Sequence, residues 1–489
     1  MLGRQSQIIA GIAVTGAGML SLLAMLTGNM NWVYGLLVVL PTLFLIGNPS
    51  ALLVITLMLH ASMLTFPGAP ENMNLFLASA LLLTVAAIAR QVLRPRAFPA
   101  MGASEWCALS LSGVLLLTAS IRGFGLRMFG GEGWGGAVYV QLTIGVAMLL
   151  AARSVSMTLV QWRYALYGLC VFSVIPTAAY AINAASGGSF SDSLSLFISF
   201  SGGAQSYLRG IETGNELTRL QIANVSSMYV FLLALLLLGE LRSRRFAAGL
   251  AILVALVLCG ISGHRISLVY TLLLFFIYAL LDARRPFIAR LRNPMIWGTV
   301  VVVALLGLLA PYLPSAFQRA LTWIPFAHVS DITSADAEGT SLWRFELWRM
   351  LLREAPQYLW VGKGYVFSFS EYASIFSTST ANQYESFIIT HNYHNGLLSL
   401  LIDLGLPGLV IGLGYIAAVA VRETRRLYYV WPNTVLHNYH RIVLAAFLAQ
   451  AIVFVGFAGG VQSFMSLFVL ALIADGLFHS AQKTPPTKH

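Results

Sequence analysis

The chain has 489 residues, of which 58% are hydrophobic and only 10% charged, with a mean hydropathy of +0.78. Soluble globular chains carry about 25% charged residues, so this composition argues against a water-soluble enzyme or repeat protein. Three cysteines, Cys107, Cys170 and Cys259, lie inside apolar runs and read as small buried hydrophobes, which rules out a disulfide scaffold. The net charge of +11 would suggest nucleic acid in a soluble protein. Here the placement of the basic residues matters more than their sum, and no nucleic-acid partner is expected.

Apolar runs fall at 8–27, 32–46, 51–66, 74–89, 105–120, 137–152, 164–183, 224–239, 247–262, 266–281, 296–310, 396–420, 441–458 and 462–479. They predict an all-α polytopic membrane protein with about 14 transmembrane helices, forming a single membrane domain over 1–489. The first run lacks a small-residue cleavage site and is expected to stay as a helix. With both ends in the cytoplasm, most of the 29 basic residues fall inside, in clusters such as Arg90, Arg94 and Arg96, or Arg422, Arg425 and Arg426. Two outward loops are too long for connectors, one at 184–223 and one at 311–395. Loops of that length usually carry function on the scaffold of the spans.

The phosphate-loop, dinucleotide and zinc-protease motifs are missing, and no Asp-x-Asp pair is present. His391 and His394 are three apart and could form half of a metal site, but no carboxylate accompanies them at ligand spacing, so neither metal nor cofactor is expected. What stands out instead is a set of basic and His residues on the outer side. Ser262-Gly263-His264-Arg265 is a tight hairpin between two spans, and Arg265 opposes the positive-inside bias at the membrane edge. It either snorkels or serves function. Arg219, just before a span, is a weaker case of the same kind.

Trp343 to Ala355 has helical periodicity within the long loop. Arg344 falls on its apolar face with Trp348, Leu351 and Ala355, whereas Glu346, Arg349 and Arg353 fall opposite. A guanidinium so placed needs a partner, either a loop carboxylate or a bound anion. Further on, His394-Asn395 precedes Gly405-Leu406-Pro407-Gly408. On a straight helix Gly405 lies about 20° from His394 and Gly408 about 40° to the other side, forming a small-residue stripe for a neighbouring helix unless Pro407 bends it. Asp403 and Asp475 are carboxylates within predicted spans. Asp403 lies about 180° from His394 on a straight helix, so the two are not expected to form a dyad.

His394-Asn395, nine residues, then Gly405-x-x-Gly408 resembles the signature of the O-antigen ligase and O-antigen polymerase superfamily. His391-Asn392 fails that pattern because Ile402 occupies the glycine position. Arg344 resembles the family's loop arginine, Arg265 its hairpin arginine, and Arg219 a further arginine before a span. The resemblance runs from about 215 to 420 and implies a GT-C-like membrane glycosyltransferase. The implied donor is a glycan on undecaprenyl diphosphate, and the acceptor is lipid A core for a ligase or another lipid-linked repeat for a polymerase. Catalytic roles would fall to His394, Arg265 and Arg344, and substrate binding to Arg219, Asn395 and His264. The implied place is the bacterial inner membrane, with the site facing the periplasm and inverting chemistry without metal. The rival class is a lipid-linked oligosaccharide flippase or other transporter, whose site would lie near the bilayer midplane, often between repeats.

Overall fold

The computed structural model describes residues 47–65, 74–93, 100–125, 135–186, 189–190, 198, 223–240, 244–282, 286–368, 387–389, 391–429, 434–457 and 459–483. Its helices are α1 (Pro49–Leu59), α2 (Leu75–Leu93), α3 (Ala103–Arg122), α4 (Ala137–Ala152), α5 (Leu159–Phe172), α6 (Ile175–Ala185), α7 (Ala223–Glu240) and α8 (Arg245–Ser262). They continue as α9 (Arg265–Leu280), α10 (Phe287–Leu291), α11 (Pro294–Leu309), α12 (Ser315–Leu321), α13 (Asp331–Tyr358), α14 (Gly396–Leu427), α15 (Thr434–Gly456) and α16 (Phe464–Lys483). Among the described residues, 9 helical segments are long and apolar enough to cross a membrane, and α1, α4 and α9 are shorter apolar helices. A helix satisfies its own backbone in lipid, which is why apolar runs of this kind resolve into helices. The chain is an all-α, multi-pass membrane protein. The first two apolar runs, Arg219 and nearly all of the loop after α6 lie outside the described residues.

Helices α15 and α16 are buried along most of their length and form the centre of the bundle, while α11 is exposed on nearly every side. At the end of the bundle away from the long loop, buried charges tie five elements together. Arg422 of α14 bonds Glu105 of α3 and its neighbour Glu423, and Arg426 donates to Asp475 of α16 at 2.6 Å. His440 of α15 meets Glu423 at 2.9 Å, and Arg153, just after α4, lies 3.9 Å from both Glu105 and Asp475. Each buried carboxylate therefore has a cation, as burial of charge demands.

The long loop folds onto the opposite end. Its main helix, α13, starts earlier than the predicted 343–355, with Ser330 accepting from Thr333 N–H as the N-cap. Leu347, Leu351 and Ala355 of α13 pack with Tyr393, Leu398 and Ile402 in a small core of their own. Glu346, Arg349 and Arg353 are exposed, as the periodicity predicts. Helix α12 seats Phe317 against Gly260 near the end of α8, where a methyl group would meet the ring at about 2.0 Å.

Helix α14 corrects one expectation. It is not straight: Gly405 has φ 73° and ψ −174°, so the helix breaks there. The segment after α13 enters the break. Leu359 C=O accepts from Leu406 N–H at 2.6 Å, Lys363 N–H donates to Ile402 C=O at 2.7 Å, and Gly364 N–H donates to Asp403 C=O at 3.0 Å. Pro407 has no N–H to offer Asp403, so the visiting segment supplies the donor that the helix lacks. The glycine stripe is thus a docking point for a loop backbone rather than a seam for a neighbouring helix. A side chain at Gly405 would stand 2.9 Å from Leu359 C=O, and the angles given for a straight helix do not apply across the break.

Candidate active site

The α8–α9 hairpin turns at Gly263, whose φ of 63° is left-handed backbone that glycine adopts without strain. Arg265 opens α9 and donates from Nη2 to Ala337 C=O and Ser341 Oγ, both at 3.2 Å. These bonds join the hairpin to α13. Arg319 of α12, buried, reinforces the joint by pairing with Asp336 and donating to Gly263 C=O and Thr340 Oγ1 at 2.9 Å each. His264 is the N-cap residue of α9, where its C=O accepts from Ser267 Oγ at 2.6 Å.

One helical turn beyond Ser341, Arg344 lies on the half-buried side of α13. Its Nε is buried and has no hydrogen-bond partner among the described residues, and its guanidinium lies 5.6 Å from the centre of the Trp343 ring. Burial and then the nearby Arg265 and Arg319 charges lower its pKa to about 10, which still leaves it protonated at neutral pH. Neither Arg265 nor Arg344 has a carboxylate in salt-bridge contact among the described residues. Asp336, a carboxylate of the loop helix, pairs with Arg319.

His394 precedes α14. Its ring stands edge-on to Trp343 at 5.4 Å and to Phe387 at 5.7 Å, and those two rings stack at 4.6 Å. Burial, with Arg344 nearby as the second cause, lowers its pKa to about 4. The imidazole is therefore neutral at pH 7. Asn395 caps α14, its Oδ1 accepting from Leu398 N–H at 3.1 Å. That gives the second residue of the signature a local structural task.

Three of the sequence-derived residues, Arg265, Arg344 and His394, thus gather at the loop end of the bundle. His264 borders them in the hairpin, and Arg219 lies outside the described residues. Sequence reasoning passed over Arg319, which looks like any loop charge, and the partner of Asp403. That partner is His391, whose Nδ1 lies 2.7 Å from Asp403 Oδ1, while Tyr393 Oη donates to the same oxygen at 2.9 Å. The only available signal was a carboxylate inside a predicted span, since the break at Gly405 hides the pairing from helical arithmetic.

This arrangement falls within a recognisable stretch of sequence. Residues 249–413 match the O-antigen ligase family model. The match covers about a third of the chain, from α8 through the first half of α14, and supports the O-antigen ligase and polymerase superfamily. It includes the hairpin, the loop helix and the His-Asn signature together. An O-antigen ligase domain implies a glycosyl-transfer enzyme embedded in a membrane and acting on lipid-linked glycans. No curated protein matches the chain.

Proposed function

We propose that this protein moves a glycan from a polyprenyl-diphosphate donor to an acceptor hydroxyl at the periplasmic face of the bacterial inner membrane. The acceptor is lipid A core if it is a ligase, or another lipid-linked repeat if it is a polymerase. One observation carries the reading: Arg344 stands beside a neutral histidine and within the field of Arg265, and neither half-buried arginine has a carboxylate in salt-bridge contact among the described residues. Positive charge so arranged is suited to a diphosphate leaving group, which gains a negative charge as it departs, and a neutral imidazole is suited to taking a proton.

Arg265 and Arg344 would hold the diphosphate through their forked N–H groups, and their partial burial strengthens that contact relative to water. As the acceptor oxygen attacks the anomeric carbon, the bond from that carbon to the diphosphate oxygen breaks on the opposite face, with inversion. The negative charge that develops on the leaving oxygen falls beside the arginines, and the hydroxyl proton passes to His394. Before the donor binds, a pKa near 4 makes His394 a weak base. A bound diphosphate offsets the arginine field, so its basicity rises when the proton is to be moved.

The position of the group supports transfer over transport. Arg265 opens one apolar helix, His394 precedes another and Arg344 lies on a loop helix, all at one end of the bundle. A transporter would place them near the midplane. The test is reconstitution of the full chain with a labelled polyprenyl-diphosphate glycan, with and without lipid A core. Glycosylated acceptor and released lipid diphosphate are expected. Movement of intact donor across the bilayer with no new glycosidic bond would refute the reading.

A further inference from the structure

His391 and His394 both carry positive φ, 56° and 52°, although neither is glycine. Such backbone is strained in a residue that carries a Cβ and persists only where its surroundings over-determine it. The restraints here are specific. Asn392 N–H donates to Phe387 C=O at 3.0 Å, and Trp348 Nε1 donates to Tyr393 C=O at 2.8 Å. Both inward-facing side chains of the loop then end on one atom, Asp403 Oδ1.

Asp403 is well placed to be the anchor. It is fully buried, two residues before the break in α14, and its own carbonyl is held by Gly364 N–H at 3.0 Å. His391 and Tyr393 bond to it, while the His394 ring stands edge-on against the stacked pair of Trp343 and Phe387. No contact joins Asp403 to His394. We propose that Asp403 is a positioning residue, which fixes the strained His391–His394 loop through His391 and Tyr393 and so sets where the His394 ring stands. The kinetic part of this inference rests on the glycosyl-transfer reading, but the anchoring itself does not. A catalytic group displaced by about 1 Å loses on the order of 100-fold in rate, so an anchor that touches no substrate still governs turnover.

The test compares Asp403→Asn, Asp403→Ala and Tyr393→Phe in the purified full-length protein. Asparagine keeps an oxygen that can accept both bonds; alanine keeps none. Two quantities are measured: steady-state transfer, and the rate at which diethyl pyrocarbonate modifies His394, read by peptide mass spectrometry. Asp403→Ala should lower kcat by about 10- to 100-fold with donor KM within about twofold, because the arginines are untouched. Its His394 should also be modified several times faster. Asp403→Asn should stay close to wild type in both measurements, and Tyr393→Phe should fall between.

Wild-type kcat and an unchanged modification rate in Asp403→Ala would overturn the proposal. So would Asp403→Asn behaving like Asp403→Ala, since the charge and not the anchoring would then matter. Should Asp403→Ala fail to fold, Tyr393→Phe decides alone: faster modification of His394 supports the anchor, and wild-type behaviour refutes it. If the wild type transfers no glycan, the functional reading fails while the modification rates still judge the anchor.

Discussion

At the residue scale, the two histidines separate by what surrounds them. His394 stands edge-on to two stacked aromatic rings and within the field of Arg344; His391 is bonded to a buried carboxylate. The signature spacing singles out His394, and on the proposed mechanism His394→Ala should lose roughly 100- to 10,000-fold in transfer. The sequence also suggests that His391 is dispensable, and its bond to Asp403 revises that expectation: His391→Ala should lose turnover, though less than His394→Ala. The pH dependence follows from the lowered pKa. A base works only while unprotonated, so activity holds as pH falls until the base is protonated. The acid limb of kcat/KM should then lie near pH 4 rather than near the ordinary value of 6.5. The limb of kcat should lie higher, because bound diphosphate favours the protonated form. A pH–rate profile with half-maximal kcat/KM near 6.5 would show that His394 is not the titrating base. Arg344 was legible because a charge on an apolar face is anomalous in any helix. Arg319 was not, since its role depends on a carboxylate and a carbonyl distant in sequence.

At the scale of elements, apolar runs and hairpin turns predicted most of the helices, while the break in α14 escaped. Glycine and proline marked the place, but what fills a broken helix is a tertiary fact. The segment 359–364 is held from outside as well, Arg122 donating from Nε to Gly362 C=O at 2.9 Å and Thr118 from Oγ1 to Val361 C=O at 3.0 Å. Gly362 has φ 80°, and a methyl group there would stand 2.3 Å from Asp403 C=O. Gly362→Ala should therefore cost more than the about 1–2 kcal/mol of left-handed backbone alone, and should impair transfer with it. Gly113, in α3, has nothing within 4 Å of such a methyl. Gly113→Ala should be neutral or stabilising by up to about 1 kcal/mol. Unfolding temperatures of the two variants check this contrast; equal values would mean that the visiting segment does not brace the break.

For the whole molecule, the two ends of the bundle have different tasks. One end closes its charges into pairs, around Glu105, Arg422, Glu423, Arg426 and Asp475. The other leaves Arg265 and Arg344 without such partners among the described residues. Glu423→Ala should therefore destabilise the protein, by less than the about 3–5 kcal/mol of a fully broken buried pair because Arg422 and Arg426 keep Glu105 and Asp475, while folded molecules keep their turnover. Composition made the membrane class legible and the distribution of basic residues predicts an orientation; that Arg265 and Arg344 lack carboxylate partners among the described residues needed the fold. Reporter fusions at 94 and 340 should report opposite sides of the membrane, cytoplasmic and periplasmic, and agreement between them would refute that orientation. The most direct measurement is single-turnover transfer from a labelled polyprenyl-diphosphate glycan by the wild type, Arg265→Lys and Arg344→Lys. A lysine keeps the charge but cannot supply the fork. The account predicts that both variants remain folded and lose transfer, by about 100- to 1000-fold if the lost contact matches other transition-state anion contacts. Full activity in both would contradict it, because the arginines would then not grip the leaving diphosphate.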